Sequence, residues 1–205
     1  MNKFRFSIAS FLTLLLLSGI TRAQQTPAYT RIAVMPFKNL TNNPDNSWVG
    51  EGIADTLTAE LGTIQGLVLI ERLQMAKIME ELHLSQTGLV EEKNAARVGK
   101  MVSAKYLIVG SYQIVDSQVM ISARLLEIEL GVTKETCRIR GEFKQIFDLQ
   151  DELAKKTLEW LDLTPTTEEI QNMISTGPRR DITSFEYVSR AREDFYAGKT
   201  DDAMK

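Results

Sequence analysis

The sequence predicts an α/β fold, a mixed parallel and antiparallel sheet flanked by helices in the order β-α-β-α-α-β-β-β-α, with a C-terminal helical segment after it. Three observations predict it. Two short apolar runs, 31–37 and 66–72, alternate with segments whose apolar residues recur at helical spacing. Three strand-like segments then follow one another with short breaks at Asp116-Ser117 and Gly131. Strands joined through helices must pair in parallel, whereas closely joined strands form antiparallel hairpins, so the sheet is mixed.

Each element has its own signal. The first strand, "RIAVMPF", is closed by Pro36 and the turn-forming "KNLTNNPDNS". The first helix carries Val49, Ile53, Leu57, Leu61 and Ile64 on one face, with Ser47 or Asn46 as its cap. "GLVLIER" is the second strand. Met75, Ile78, Met79 and Leu82 mark the second helix, and Ala95, Val98, Met101 and Val102 the third, with the loop "SQTGLVEE" between them. In the antiparallel part, Val119, Ile121, Ala123 and Leu125 lie on one face, but Leu126 and Ile128 on the other. Such a sheet is covered partly on both sides. The last domain helix places Leu149, Leu153, Thr157 and Trp160/Leu161 inward, with Asp148 as N-cap.

Four regions follow along the 205 residues. Residues 1–23 read as a secretory signal peptide: Lys3 and Arg5 precede the apolar "FLTLLLL", and Thr21-Arg22-Ala23 offers small residues for cleavage. The apolar core, Ile8 to Ile20 at most, is shorter than the roughly 20 residues that span a bilayer. The α/β domain is expected over 28–163 and a hydrophilic linker over 164–181. A helical segment, 182–205, has Phe185, Val188, Ala191/Arg192 and Phe195 at helical spacing, a break at Gly198 and a restart at Asp201-Asp202. It reads as the first part of a tetratricopeptide repeat. One such unit cannot bury its own apolar face, so either more chain follows or the helix docks on the domain; the former is preferred.

Net charge is −3, and without the leader's three cations it is −6. This acidic balance speaks against a nucleic-acid partner. The charges of the last two strands, among them Arg124, Glu127, Lys134 and Arg138, fall on both faces, so membrane association is expected to be peripheral at most.

Chemistry-bearing residues are sparse. Gly50 and Gly52 evoke a phosphate-binding turn. They stand about a dozen residues after Phe37, however, and Asp55 takes the place of the third glycine a dinucleotide fingerprint needs. Packing against the sheet is the favoured role; a nucleotide-responsive sensor using this region is an alternative. His83, the single histidine, sits beside Glu80 and Glu81 without a second ligand at metal-site spacing. Cys137, the single cysteine, cannot form an internal disulfide and has no nearby base. No catalytic, cofactor-binding or metal-ligating residue is expected, and no enzyme activity.

The blocks "RIAVMPFKN", "VGEGIADTLTAEL", "GLVLIER", "AKIMEELHLSQTGLV", "AARVGKMVSAKYLIVGSYQ" and "ISARLLEIELGVTKE" together resemble the CsgG family of curli production assembly and transport components. The resemblance covers about 30–161. Its most specific pieces are Glu71-Arg72, Gly88-Leu89-Val90 and the run from Gly99 to Gly110. The amino-terminal domain of TolB and the FlgO and LpoB-like domains are related folds. The resemblance implies a bacterial periplasmic domain, at or near the outer membrane, acting through contacts with other envelope proteins or with its own copies. An export-channel subunit is the alternative it raises. Against that, Ile20 stands where a lipidated cysteine would be, and connections 112–118 and 129–132 leave no room for two membrane hairpins.

Overall fold

Apolar residues on both faces of the first strand put the sheet in the middle of the molecule. The computed structural model describes residues 29–41, 43–82, 92–176 and 181–199. Its strands are β1 (Thr30–Val34), β2 (Lys38–Asn39), β3 (Leu67–Leu69), β4 (Tyr106–Val115), β5 (Gln118–Glu127) and β6 (Val132–Glu142). Its helices are α1 (Val49–Leu61), α2 (Arg72–Glu81), α3 (Glu92–Met101), α4 (Ile146–Trp160), α5 (Thr167–Thr176) and α6 (Ile182–Tyr196). The sheet order is β3-β1-β4-β5-β6. β1 lies parallel to both β3 and β4, and β4-β5-β6 is an antiparallel meander. The α/β class and the mixed sheet are therefore as the sequence indicates.

Two cores result. Ile32, Val34, Ile108, Ile121 and Leu125 face α1 and α4, whereas Ala33, Met35, Leu107, Val109 and Leu126 face α2 and α3. The change of face from Leu125 to Leu126 coincides with a register irregularity between β5 and β6. On α1, Val49, Ile53, Leu57 and Leu61 are fully or almost fully buried, each removal from water contributing about 1.5–3 kcal/mol.

Several details differ from expectation. Neither Ser47 nor Asn46 caps α1: a short 3₁₀ turn, Pro44–Asn46, leads into it, and Asn43 Oδ1 accepts from Asp45 N at 3.0 Å instead. Asp148 is not the cap of α4. The helix starts at Ile146 after another 3₁₀ turn, which leaves Asp148 in the first turn, where its charge suits the helix dipole. The two-residue β2 prolongs the line of β1 along β4 after the bend at Pro36-Phe37, within a stretch expected to be turn only.

The stretch expected to be a linker, 164–181, holds α5. Thr166 Oγ1 accepts from Glu169 N, and Glu169 accepts from Thr166 N at 2.8 Å, a reciprocal capping box. Glu169 also accepts from Gln65 N at 2.9 Å, tying α5 to the loop before β3, and Met173 is fully buried. α6 likewise docks on the domain and does not stand apart. The signal segment 1–23, His83, Gly88-Leu89-Val90 and the restart at Asp201-Asp202 lie outside the described residues.

Candidate interaction site

Arg72 opens α2 directly after β3, so its side chain is delivered into the space between the sheet and α1. It is buried and donates three ways: to the Val34 carbonyl at 2.9 Å, to Asp55 Oδ1 at 3.2 Å and to the Glu51 carboxylate. Glu51 and Asp55 are one turn apart on α1 and both buried. Arg192 of α6 donates to the second oxygen of Asp55 at 2.8 Å, and the Tyr196 ring lies 5.5 Å from the Arg72 guanidinium. One network of charge thus joins β1, α1, α2 and α6. Burial pushes the Glu51 carboxyl up, and the Arg72 charge opposes that rise.

Gly50 and Gly52 explain how the helices come so close. A Cβ on Gly50 would stand 2.0 Å from the Phe37 carbonyl oxygen and 3.2 Å from the Tyr112 ring. A Cβ on Gly52 would stand 2.4 Å from Phe185 Cζ and 2.6 Å from Ser189 Oγ. The first glycine lets α1 lie on the sheet, and the second lets α6 lie on α1. The space a phosphate would need at Gly50 is filled with protein, and at Gly52 the Cβ position is taken by Phe185 and Ser189.

α6 is fastened along its length. Asp181 caps it by accepting from Ser184 N at 2.8 Å. Phe185 packs edge-on against Trp48 and Phe147. Arg190 donates to the Asp45 carbonyl at 2.6 Å, and Ser47 Oγ donates to Glu193 at 3.0 Å. The inner face is thus Phe185, Ser189, Arg192 and Tyr196. Three apolar residues point outward: Tyr187 is 72% exposed, Val188 47% and Phe195 49%. Val188, Ala191 and Phe195 stand at i, i+3 and i+7, a continuous stripe along one helix face.

The remaining chemistry-bearing groups are dispersed. Cys137 is a free, half-buried thiol on β6, and burial pushes its pKa up, which disfavours the reactive thiolate. Among the described residues, no group of three or more His, Cys, Asp or Glu side chains could hold a metal ion. No helix among them is long and apolar enough to cross a membrane.

The model of a known family, curli production assembly/transport component CsgG, matches residues 16–124, more than half of the chain. This chain belongs to the CsgG family. Two of the three CsgG-like motifs have physical roles among the described residues. Arg72 of Glu71-Arg72 is the hub of the buried charge network. The glycines that bound the third motif are both close-approach positions: a Cβ on Gly99 would stand 2.4 Å from Ile128, and one on Gly110 2.1 Å from Phe37.

A putative adenylate cyclase 3 of Rhizobium meliloti (strain 1021) is 23% identical over 169 residues, 82% of this chain. The chain spans about a quarter of that relative, 27% of its length. Among solved structures, the LpoB C-terminal domain of Salmonella enterica is 19% identical with a TM-score of 0.47, over 56% of this chain and 84% of that one. Lipoprotein GNA1162 of Neisseria meningitidis is 12% identical with a TM-score of 0.48, over 67% of this chain and 99% of that one. At such scores these two structures add nothing to the family assignment.

Proposed function

We propose that this CsgG-family chain is a non-catalytic cell-envelope domain that serves the assembly or secretion of envelope components through protein–protein contacts. The observation that carries the reading is the two-faced helix α6. Its inner face is locked by Phe185, Arg192 and Tyr196, while its outer face leaves Tyr187, Val188 and Phe195 in solvent. A rigid helix with an apolar outer stripe is suited to receive another helix, as in helix-in-groove recognition. This is also how residues 182–205 would begin a tetratricopeptide repeat, whose next helix packs on the first. The n-region, apolar run and small residues of 1–23 support export across the inner membrane to the periplasm, with only peripheral contact with the outer membrane. Other envelope proteins, or further copies of the chain, are the partners this implies.

A curli-type export channel is the second reading, raised by the family description. The short turns at Asp116-Ser117 and 128–131, which join β4, β5 and β6 directly, favour the contact domain over it. The Phe37 backbone packed over Gly50, and Phe185 and Ser189 against the Cβ position of Gly52, likewise weigh against a nucleotide-responsive sensor. Cell fractionation separates the first two readings. The contact domain is expected in the periplasmic fraction, or to be released from the membrane by high salt or carbonate. Recovery in detergent-resistant outer-membrane rings would overturn it in favour of the channel.

A further inference from the structure

A cleft of about 320 Å³ opens between α1, α5 and α6, separate from the outer stripe's aromatic residues. Its volume lies at the lower end of the roughly 300–1,000 Å³ typical of ligand pockets. Gly52, Thr56, Phe185 and Ser189 line it, with Val188 and Arg192 also on its wall. Thr56 is the informative residue. It is 3% exposed, and its hydroxyl has no hydrogen-bond partner among the described residues. Thr58 and Thr157, also on helices, donate to the carbonyl four residues earlier, at 2.7 and 2.9 Å. The large majority of buried side-chain polar atoms in native proteins are hydrogen-bonded, and of the few left unpaired among the described residues Thr56 Oγ1 is the one on the wall of this cleft, which points to what belongs there.

We propose that this cleft is a binding site for a small neutral ligand with an apolar body and one hydroxyl or amide head group, the head group pairing with Thr56 Oγ1. The apolar body packs on Phe185 and Val188. Close approach at Gly52 brings Phe185 and Ser189 to the helix backbone and so shapes the floor. Charge is not what the site selects. Asp55 is already paired with Arg72 and Arg192, and Arg192 in turn spends one guanidinium arm on Asp55. The cleft shares Val188 with the outer face of α6, whereas Thr56, Phe185 and Ser189 lie off that face, so Thr56→Val tests the cleft without touching the proposed protein contact.

The test is titration of the 205-residue chain, followed by backbone amide NMR, with benzyl alcohol, with toluene as the same body without the hydroxyl, and with benzoate as its anionic counterpart. Benzyl alcohol is expected to give saturable shifts confined to α1 residues near 52–59 and α6 residues near 184–192, and to bind more tightly than either toluene or benzoate. Thr56→Val keeps the shape and removes the unpaired hydroxyl, so folding is not at risk. It is expected to weaken benzyl alcohol by a factor of about 2–10, the range of one neutral hydrogen bond, and to leave toluene unchanged. Val188→Trp, which fills the cleft from its edge, is expected to abolish binding of both. Absence of saturable shifts, equal binding of alcohol and toluene to the wild-type chain, an unchanged alcohol affinity in Thr56→Val, or tighter binding of benzoate would overturn the proposal.

Discussion

Replacing Arg72 with Met tests whether the charge network holds α1, α2 and α6 to the sheet. The methionine keeps much of the apolar stem and removes the guanidinium. The side chains of Glu51 and Asp55 are only 5% and 6% exposed, so neither can turn to water for a substitute. Removing one member of a buried pair typically costs about 3–5 kcal/mol, a large share of a stability of about 5–15 kcal/mol. Asp55 keeps Arg192 at 2.8 Å, so the penalty falls mainly on Glu51. Glu51 has an escape by taking up a proton, because burial already pushes its pKa up. These two considerations place the loss near the bottom of the range, about 3 kcal/mol at pH 7, or roughly 6–12 °C in Tm for a chain of this size. The loss should shrink as the pH falls toward the ordinary glutamate value of 4.5, where a protonated Glu51 needs no cation. Urea unfolding followed by tryptophan fluorescence measures it, since Trp48 is buried and packs on Phe185 of α6. A loss below 1 kcal/mol at pH 7, or a loss independent of pH, would refute the reasoning.

Gly52→Val sets a side chain where Phe185 Cζ now lies 2.4 Å from the ideal Cβ, so α6 must shift; a loss of about 1–3 kcal/mol and a red shift of Trp48 emission are expected. Retention of wild-type emission and stability would remove the packing role of that glycine. For Glu51, the folded carboxyl holds its proton to higher pH than the unfolded one. Its contribution to stability is therefore full below pH 4.5 and declines as pH rises through the raised folded value. Glu51→Gln should flatten that decline, read as the pH dependence of the urea midpoint relative to wild type; parallel curves would contradict it. The Cys137 thiol, raised by burial, is expected to react with an aromatic disulfide reagent more slowly at pH 8 in the folded chain than in urea. Equal rates would place the thiol in solvent.

Apolar periodicity made the layers legible, because each face of a strand and each helix stripe buries what its spacing shows. Val119 to Leu125 against Leu126 and Ile128 already revealed a sheet covered on two sides, and the two cores divide between those residues. The glycines were legible as packing positions, yet their partners were not: nothing local in the sequence says that Gly52 faces Phe185, 133 positions away. α5 is not legible from apolar periodicity because its residues are mostly polar and only Met173 is fully buried. Thr166-x-x-Glu169, a capping-box spacing, was the available signal. Asn46/Ser47 and Asp148 have the residue types of helix caps but do not cap, for one reason: a 3₁₀ turn displaces each helix start. The charge network was hidden for another reason. Glu51, Asp55, Arg72 and Arg192 come from three helices, and charged residues read singly belong to solvent. On α6 the apolar spacing at 185, 188 and 195 was visible, but which of these residues the domain would cover depended on Gly52 and Asp55.

The outer face of α6 is where the functional account is most exposed to refutation. A photoreactive benzoylphenylalanine placed at Tyr187 or Phe195 in growing cells, with Arg138 on β6 and Lys155 on α4 as exposed controls, reads it directly. Discrete higher-mass adducts in the envelope fraction from the two α6 positions alone are expected. Adducts of equal yield from all four positions, or from β6 or α4 alone, would contradict the assignment of α6 as the contact surface.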